Sequence, residues 1–207
     1  MKINESGRSM IEMLGVLAII GVLSVGGIAG YAKAMSKYRI NKSIEQVTQI
    51  TSSVRNLFAG HKNFSALCLK EDKINSALIQ KAHLVPTEMV EVDANTQAVT
   101  LNNPFGGSVI IGCGSKRGGN SGDTDKAFVI TYENVPREAC IELATQDWGV
   151  GASSGLIAVC VNTAIANATL GNAVAGCSQA KSMTVMEAST ACASTDTGLN
   201  TISWKFF

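Results

Sequence analysis

Between Met13 and Ala32 the chain runs for twenty residues without a charge, and Glu12 stands immediately before that run. As an α-helix, twenty residues cover about 30 Å, the thickness of a bilayer's hydrocarbon core, so the segment predicts a membrane-spanning helix. A carboxylate at the mouth of such a segment is costly to desolvate and points to function. An ordinary secretory signal does not account for the pattern. Its apolar core is about 7 to 15 residues long and is cut behind that core at small residues, whereas here the small residue, Gly7, lies in front.

The helical pattern continues beyond the apolar run. Ile40, Ile44, Val47, Ile50, Val54 and Leu57 recur at three- and four-residue steps, with Lys37, Asn41, Glu45, Thr48, Ser52 and Arg55 on the opposite face. No proline occurs before Pro86, so a single helix is expected from Arg8 to Ala59, closed at Gly60. Its second half is amphipathic, and the apolar stripe needs a covering sheet.

The rest of the chain is of a common single-domain size and can bury a real core. All six cysteines, at 68, 113, 140, 160, 177 and 192, lie beyond the apolar run, and none forms a Cys-x-x-Cys pair. That usage predicts disulfides in an oxidising compartment. Structural zinc sites use closely spaced ligand pairs, and the shortest cysteine gap is fifteen residues, so no metal is expected. A formal net charge of +1 points to neither nucleic acid nor acidic partners. From Gly149 to Asn200 the only charged residues are Lys181, Glu187 and Asp196, among many small ones. Such a segment has few large side chains to bury, so staples matter most there.

Local patterns predict a short helix over Ile74–His83, a turn over Leu84–Met89, and a hairpin pairing Val90–Val92 with Ala98–Leu101 across Asp93–Gln97. Strands are expected at Ser108–Ile111, Ala127–Tyr132 and Ile202–Phe207. In the last, Ile202, Trp204 and Phe206 alternate with Ser203 and Lys205, the mark of a half-buried strand. Gly112–Thr124 reads as a glycine-rich connection, and Pro136–Ala144 as a helix with proline in its first turn.

Enzymatic readings find little support. Gly151-Ala152-Ser153-Ser154-Gly155 matches a nucleophile-elbow pattern, but His61 and His83 both precede it, whereas that fold places its histidine after the serine. The loop Gly112–Gly119 lacks the Gly-Lys-Ser order of a phosphate cradle, and its Lys116 and Arg117 read as an exposed basic turn. Neither catalysis nor a cofactor is expected.

Gly7 followed by RSMIEMLGVLAIIGVLSVGGIAGYAKA resembles the amino-terminal signature of type IV prepilins and the related pseudopilins. Further on, the turn Leu84-Val85-Pro86-x-x-Met89, the run Asn102-Asn103-Pro104-Phe105-Gly106-Gly107 and the stretch from Lys126 to Leu143 resemble the head of type IVb pilins. The resemblance implies an α+β pilin fold, a long helix packed on an antiparallel sheet. It divides the chain into a leader (1–7), a helix (8–60, with 13–32 spanning the membrane) and a disulfide-stapled head (61–207).

It also implies roles. A prepilin peptidase would cut between Gly7 and Arg8 and methylate Arg8, although Arg8 stands where the family usually has an apolar or aromatic residue and the leader is short. Glu12 would meet the free amino terminus of a neighbouring subunit and set the axial step of a filament. Gly21, Gly26, Gly27 and Gly30 would let helices pack closely or let the backbone loosen on leaving lipid. A cysteine on the helix after the valine-proline turn would bond one near the carboxyl terminus, which by position gives Cys140 with Cys192. Of the fifteen possible pairings, proximity then favours Cys160 with Cys177 and Cys68 with Cys113.

The implied function is a structural pilus subunit. Its partners would be copies of itself, the peptidase, the inner-membrane assembly machinery and, before assembly, the membrane, with no nucleic acid. The implied location is a single-pass inner-membrane protein with its head outside the cytoplasm, and afterwards an extracellular pilus. Lys33, Lys37, Arg39 and Lys42 follow the apolar run on that outer side, against the positive-inside rule, while the cysteines favour it. The alternatives are a minor pilin, a type II secretion pseudopilin, or a membrane-anchored binding module that does not polymerise. Adhesion, mating and motility are not distinguished by these residues.

Overall fold

The computed structural model describes residues 10–67, 82–116, 125–149, 154–163, 174–193 and 198–207. Helix α1 (Met10–Phe58) comprises 49 residues, and the chain divides into two units, Met1–Tyr38 and Arg39–Phe207. The first is helical throughout its described part. Its apolar side chains are exposed, with Val22 at 75% and Ile28 at 70%, and the helix is long and apolar enough to cross a membrane.

In the second unit α1 buries Ile40, Val47, Ile50, Val54 and Phe58, together with Ser43, Gln46 and Thr51. The expected stripe ended on Leu57, but that side chain is 40% exposed and Phe58 takes the buried place. Phe58 does so because Phe64, which follows the helix, packs against its ring at 5.3 Å and carries the contact on to Phe128. Residues 68–81 lie outside the described set, so most of the expected helix Ile74–His83 does too. Ala82 and His83 form a turn, with φ 50° at His83.

A single 3₁₀ turn, Thr87–Met89, leads into the hairpin β1 (Val90–Val92) and β2 (Val99–Leu101), paired Val90 to Leu101. The main sheet comprises β3 (Val109–Gly114), β4 (Ala127–Pro136), β5 (Leu156–Val161), β6 (Cys177–Gln179) and β7 (Leu199–Phe206). Its order is β3-β4-β7-β5-β6, antiparallel at every pairing. Helix α2 (Arg137–Thr145) follows β4 directly with Pro136 at its cap, and α3 (Val185–Ala191) precedes β7.

Several expectations are corrected. β3 runs on through Gly112 and Gly114, where a glycine-rich connection is expected from sequence, because six consecutive residues pair with β4 from Val109–Tyr132 to Gly114–Ala127. β4 extends to Pro136 through a register shift between Tyr132 and Val135. β7 is buried on both faces rather than one, with Ser203 at 4% and Lys205 at 0% exposure. The reason is topological: β7 is the central strand, and both sheet faces are covered. One face belongs to the main cluster with Phe128, Ile130, Tyr132, Val159, Trp204 and the α1 residues. The other carries a smaller cluster of Ala127, Ile157, Ala158 and Cys160, with Val129, Val174, Cys177 and Phe207 against it.

Candidate functional site

The residues expected to matter fall into two groups, one on the exposed part of α1 and one in the stapled head. Gly7 and Arg8 lie outside the described residues. Glu12 sits in the first turn of α1, where a carboxylate complements the positive end of the helix dipole. Gly21, Gly26, Gly27 and Gly30 are all helical, and a β-carbon added at any of them would meet nothing within 4 Å. Each glycine costs a helix about 1 kcal/mol relative to alanine, so the subunit's own packing does not require them.

In the head, Cys140 on α2 is joined to Cys192, the residue capping α3, with a Cα separation of 6.0 Å. Both are fully buried. The Met183 amide donates to the Ala144 carbonyl at 2.9 Å, tying the approach of α3 to the end of α2. α3 begins in a complete capping box: Thr184 Oγ1 accepts from the Glu187 amide at 3.3 Å, and the Glu187 carboxylate accepts from the Thr184 amide at 2.8 Å. The Thr184 amide, and with it the Thr184 hydroxyl donating at 2.9 Å, hold the Glu187 carboxyl below the usual range. The pattern Thr-x-x-Glu was present in the sequence and would have located this helix.

Cys160 and Cys177 are register partners across β5 and β6 and are joined by a second disulfide. Cys113 on β3 is disulfide-bonded as well, while Cys68 lies outside the described residues. Beside β6 lies an open pocket of about 430 Å³ lined by Val174, Cys177, Met183, Met186 and Thr190. The Glu187 carboxylate at its rim is committed to the helix cap.

Polar side chains lock the head's elements together. Tyr132 donates its buried hydroxyl to Gln46 Oε1 at 3.2 Å, and its ring meets Trp204 edge-on at 5.4 Å. Burial raises the Tyr132 phenol far above its ordinary value, so it stays a neutral donor. Lys42 bridges Glu88 at 2.6 Å and Glu45 at 3.3 Å, and the Glu88 bond raises Lys42 and lowers Glu88. Arg55 donates to the Ser154 carbonyl at 2.5 Å and lies over the Phe206 ring, its charged form disfavoured by burial. Lys116, read as part of a solvated turn, instead places Nζ 3.1 Å from the centroid of Phe207. Arg117 lies outside the described residues.

The head's helix, hairpin and five-stranded sheet coincide with the extent of a family profile described as PilS N terminal, which matches residues 37–206. The chain belongs to the PilS N-terminal family. This PilS-family chain is 25% identical over 192 residues to the major structural subunit of bundle-forming pilus from Escherichia coli O111:H-, covering 93% of this chain and 90% of that one. It is 24% identical over 173 residues to the toxin coregulated pilin of Vibrio cholerae, covering 83% and 69% respectively. Its fold is that of TcpA, a type IV pilin from the El Tor biotype of Vibrio cholerae, at a TM-score of 0.53 and 14% identity over 82% of this chain and 99% of that one. In the PilS-family head, a long helix packed on an antiparallel sheet is thus the shared architecture.

Proposed function

We infer that this chain is a structural subunit of a type IVb-like pilus that polymerises through its amino-terminal helix into an extracellular filament. The observation that carries the reading is the exposure of every large apolar side chain from Met10 to Val25 on a helix whose sequence continues into a folded, disulfide-stapled head. An apolar surface of that extent is stable only in lipid or against copies of itself. Both are used in turn: residues 13–32 anchor the subunit in the inner membrane with the head (61–207) outside the cytoplasm, and then pack in the fibre. A prepilin peptidase removes 1–7 and methylates Arg8, the inner-membrane machinery extracts the subunit, and Glu12 pairs with a neighbour's amino terminus. Gly21, Gly26, Gly27 and Gly30 serve that helix-to-helix packing. Catalysis has no part in this role.

Mass spectrometry of fibres sheared from native cells tests it. The chain is expected as the dominant component, beginning at methylated Arg8. Trace amounts in the fibre would make it a minor pilin or pseudopilin, and recovery only from membranes with Met1 intact would make it an anchored binding module.

A further inference from the structure

The head's two described disulfides differ in access. Cys140 and Cys192 are both fully buried in the main cluster. Cys160 is 1% exposed, but its partner Cys177 is only half-buried and lines the open pocket of about 430 Å³ with Val174, Met183, Met186 and Thr190. That volume has room for a molecule of several heavy atoms. The bond also sits at an edge: Cys160 and Cys177 face each other in register, and among the described residues β6 pairs with β5 alone, over three positions. Exchange with an outside thiolate depends on access and on which sulfur is attacked, and exposed disulfides are the labile ones.

We propose that Cys177 is a site of reversible S-thiolation, reached by a small thiol through this pocket while Cys140–Cys192 stays closed. The incoming thiolate attacks Cys177 Sγ and a new sulfur–sulfur bond forms there. The bond to Cys160 breaks, and Cys160 leaves as a thiolate that takes up the proton the incoming thiol gave to solvent. One disulfide replaces another, so no oxidant or reductant is consumed. Attack in the opposite sense would need the thiol to reach Cys160, which packs with Ala127, Ile157 and Ala158 in the smaller core. With the staple open, β6 is held to β5 by its short pairing and by flanking bonds from the Val161 amide to the Gly176 carbonyl and from the Ala180 amide to the Ile157 carbonyl, both 2.9 Å. Return of the Cys160 thiolate onto Cys177 expels the small thiol and closes the staple again. Ambient thiol thereby sets how firmly this edge strand is held.

The test exposes the folded full chain in detergent to 2-mercaptoethanol, samples early, blocks free thiols with N-ethylmaleimide and maps the peptides by mass spectrometry. Mercaptoethanol is expected on Cys177 and maleimide on Cys160, formed about tenfold faster than Cys140–Cys192 opens. Thr190 is exposed at the pocket wall, so Thr190→Trp should fill the pocket and slow the Cys177 reaction about tenfold with the urea midpoint unchanged. If that variant does not fold, Met186→Trp, at a position 81% exposed on the same wall, takes its place. Four results overturn the proposal: no adduct on Cys177, an adduct on Cys160 instead, opening of Cys140–Cys192 at an equal rate, or an undiminished rate in the folded tryptophan variant.

Discussion

A β-carbon on Gly107 would stand 1.9 Å from the carbonyl oxygen of Glu133 and 2.8 Å from the Asn134 β-carbon. The close approach is held from both sides. Asn103, 5% exposed, donates from Nδ2 to that same carbonyl at 2.7 Å and accepts the Phe105 and Gly107 amides on Oδ1. Opposite, β4 shifts register against β7 beside Asn134, whose φ is 58°. The Asn-Pro-Phe-Gly-Gly run therefore fastens the edge of the sheet to the β4 irregularity.

Gly107→Ala must displace backbone that has nowhere to go, with an expected loss of about 3 kcal/mol. Urea unfolding of the oxidised chain in detergent, followed by tryptophan fluorescence, measures it. An unchanged midpoint would show that the β4 segment yields and that the close approach of Gly107 to Glu133 does not constrain the fold.

The two described disulfides close loops of different length, 52 residues for Cys140–Cys192 and 17 for Cys160–Cys177. Chain-entropy arguments assign them about 4 and about 3 kcal/mol. Cys140→Ser/Cys192→Ser is expected to be the more damaging pair because both sulfurs lie in the main cluster and the bond joins α2 to α3. Thermal unfolding of both double variants ranks them. A lower melting temperature for Cys160→Ser/Cys177→Ser would mean that edge strand β6, not the α2–α3 junction, limits the fold.

What the sequence disclosed follows from how periodic each element is. The amphipathic half of α1, the hairpin around Asp93 and the proline-capped α2 each carry a local signal, and each stands close to where that signal placed it. Two strands in Gly149–Asn200, β5 and β6, carry less. β5 reads Leu-Ile-Ala-Val-Cys-Val and is buried at all six positions, so it has no alternation to detect. β6 is three residues of a cross-strand pairing, invisible without its partner. For β7 the alternation was real, but Lys205 and Ser203 face a second, smaller core that only the strand order creates. On α1 the glycines and Glu12 have no counterpart in the isolated subunit that could assign them a role.

Burial of Lys205 lowers its pKa from 10.5 to about 8. Its stem lies beneath Gly114, where an added β-carbon would come within 3.1 Å of Cε. The cost of holding the ammonium in the fold is fully present below about pH 8. Between pH 8 and 10.5 the unfolded chain keeps this proton and the folded chain releases it, so stability attributable to Lys205 rises with pH across that window. The expected result is that the unaltered chain gains stability relative to Lys205→Met from pH 8 to pH 10. Parallel denaturation of the two at several pH values checks the sign; a gap that is constant or closes the other way excludes a lowered pKa.

Glu12 lies in the first helical turn, just ahead of the uncharged run. The head contains its own core, two described disulfides and its own polar locks, so Glu12→Ala is expected to leave folding and oxidation of the head unchanged. Assembly is a different matter. A carboxylate about 4 Å from a neighbour's amino terminus gains about 4 kcal/mol at an effective dielectric near 20. If Glu12 makes the proposed pairing, its loss at every subunit is expected to weaken each addition step by about a thousandfold, since about 1.4 kcal/mol is tenfold. Glu12→Gln keeps the size and removes the charge, so it should fail nearly as badly as Glu12→Ala if the ion pair matters, and succeed if only packing does. Fibre yield by shearing, set beside the membrane content of oxidised subunit in the same cells, separates failed assembly from failed folding. Wild-type fibre yield from both variants would remove Glu12 from the assembly contact altogether.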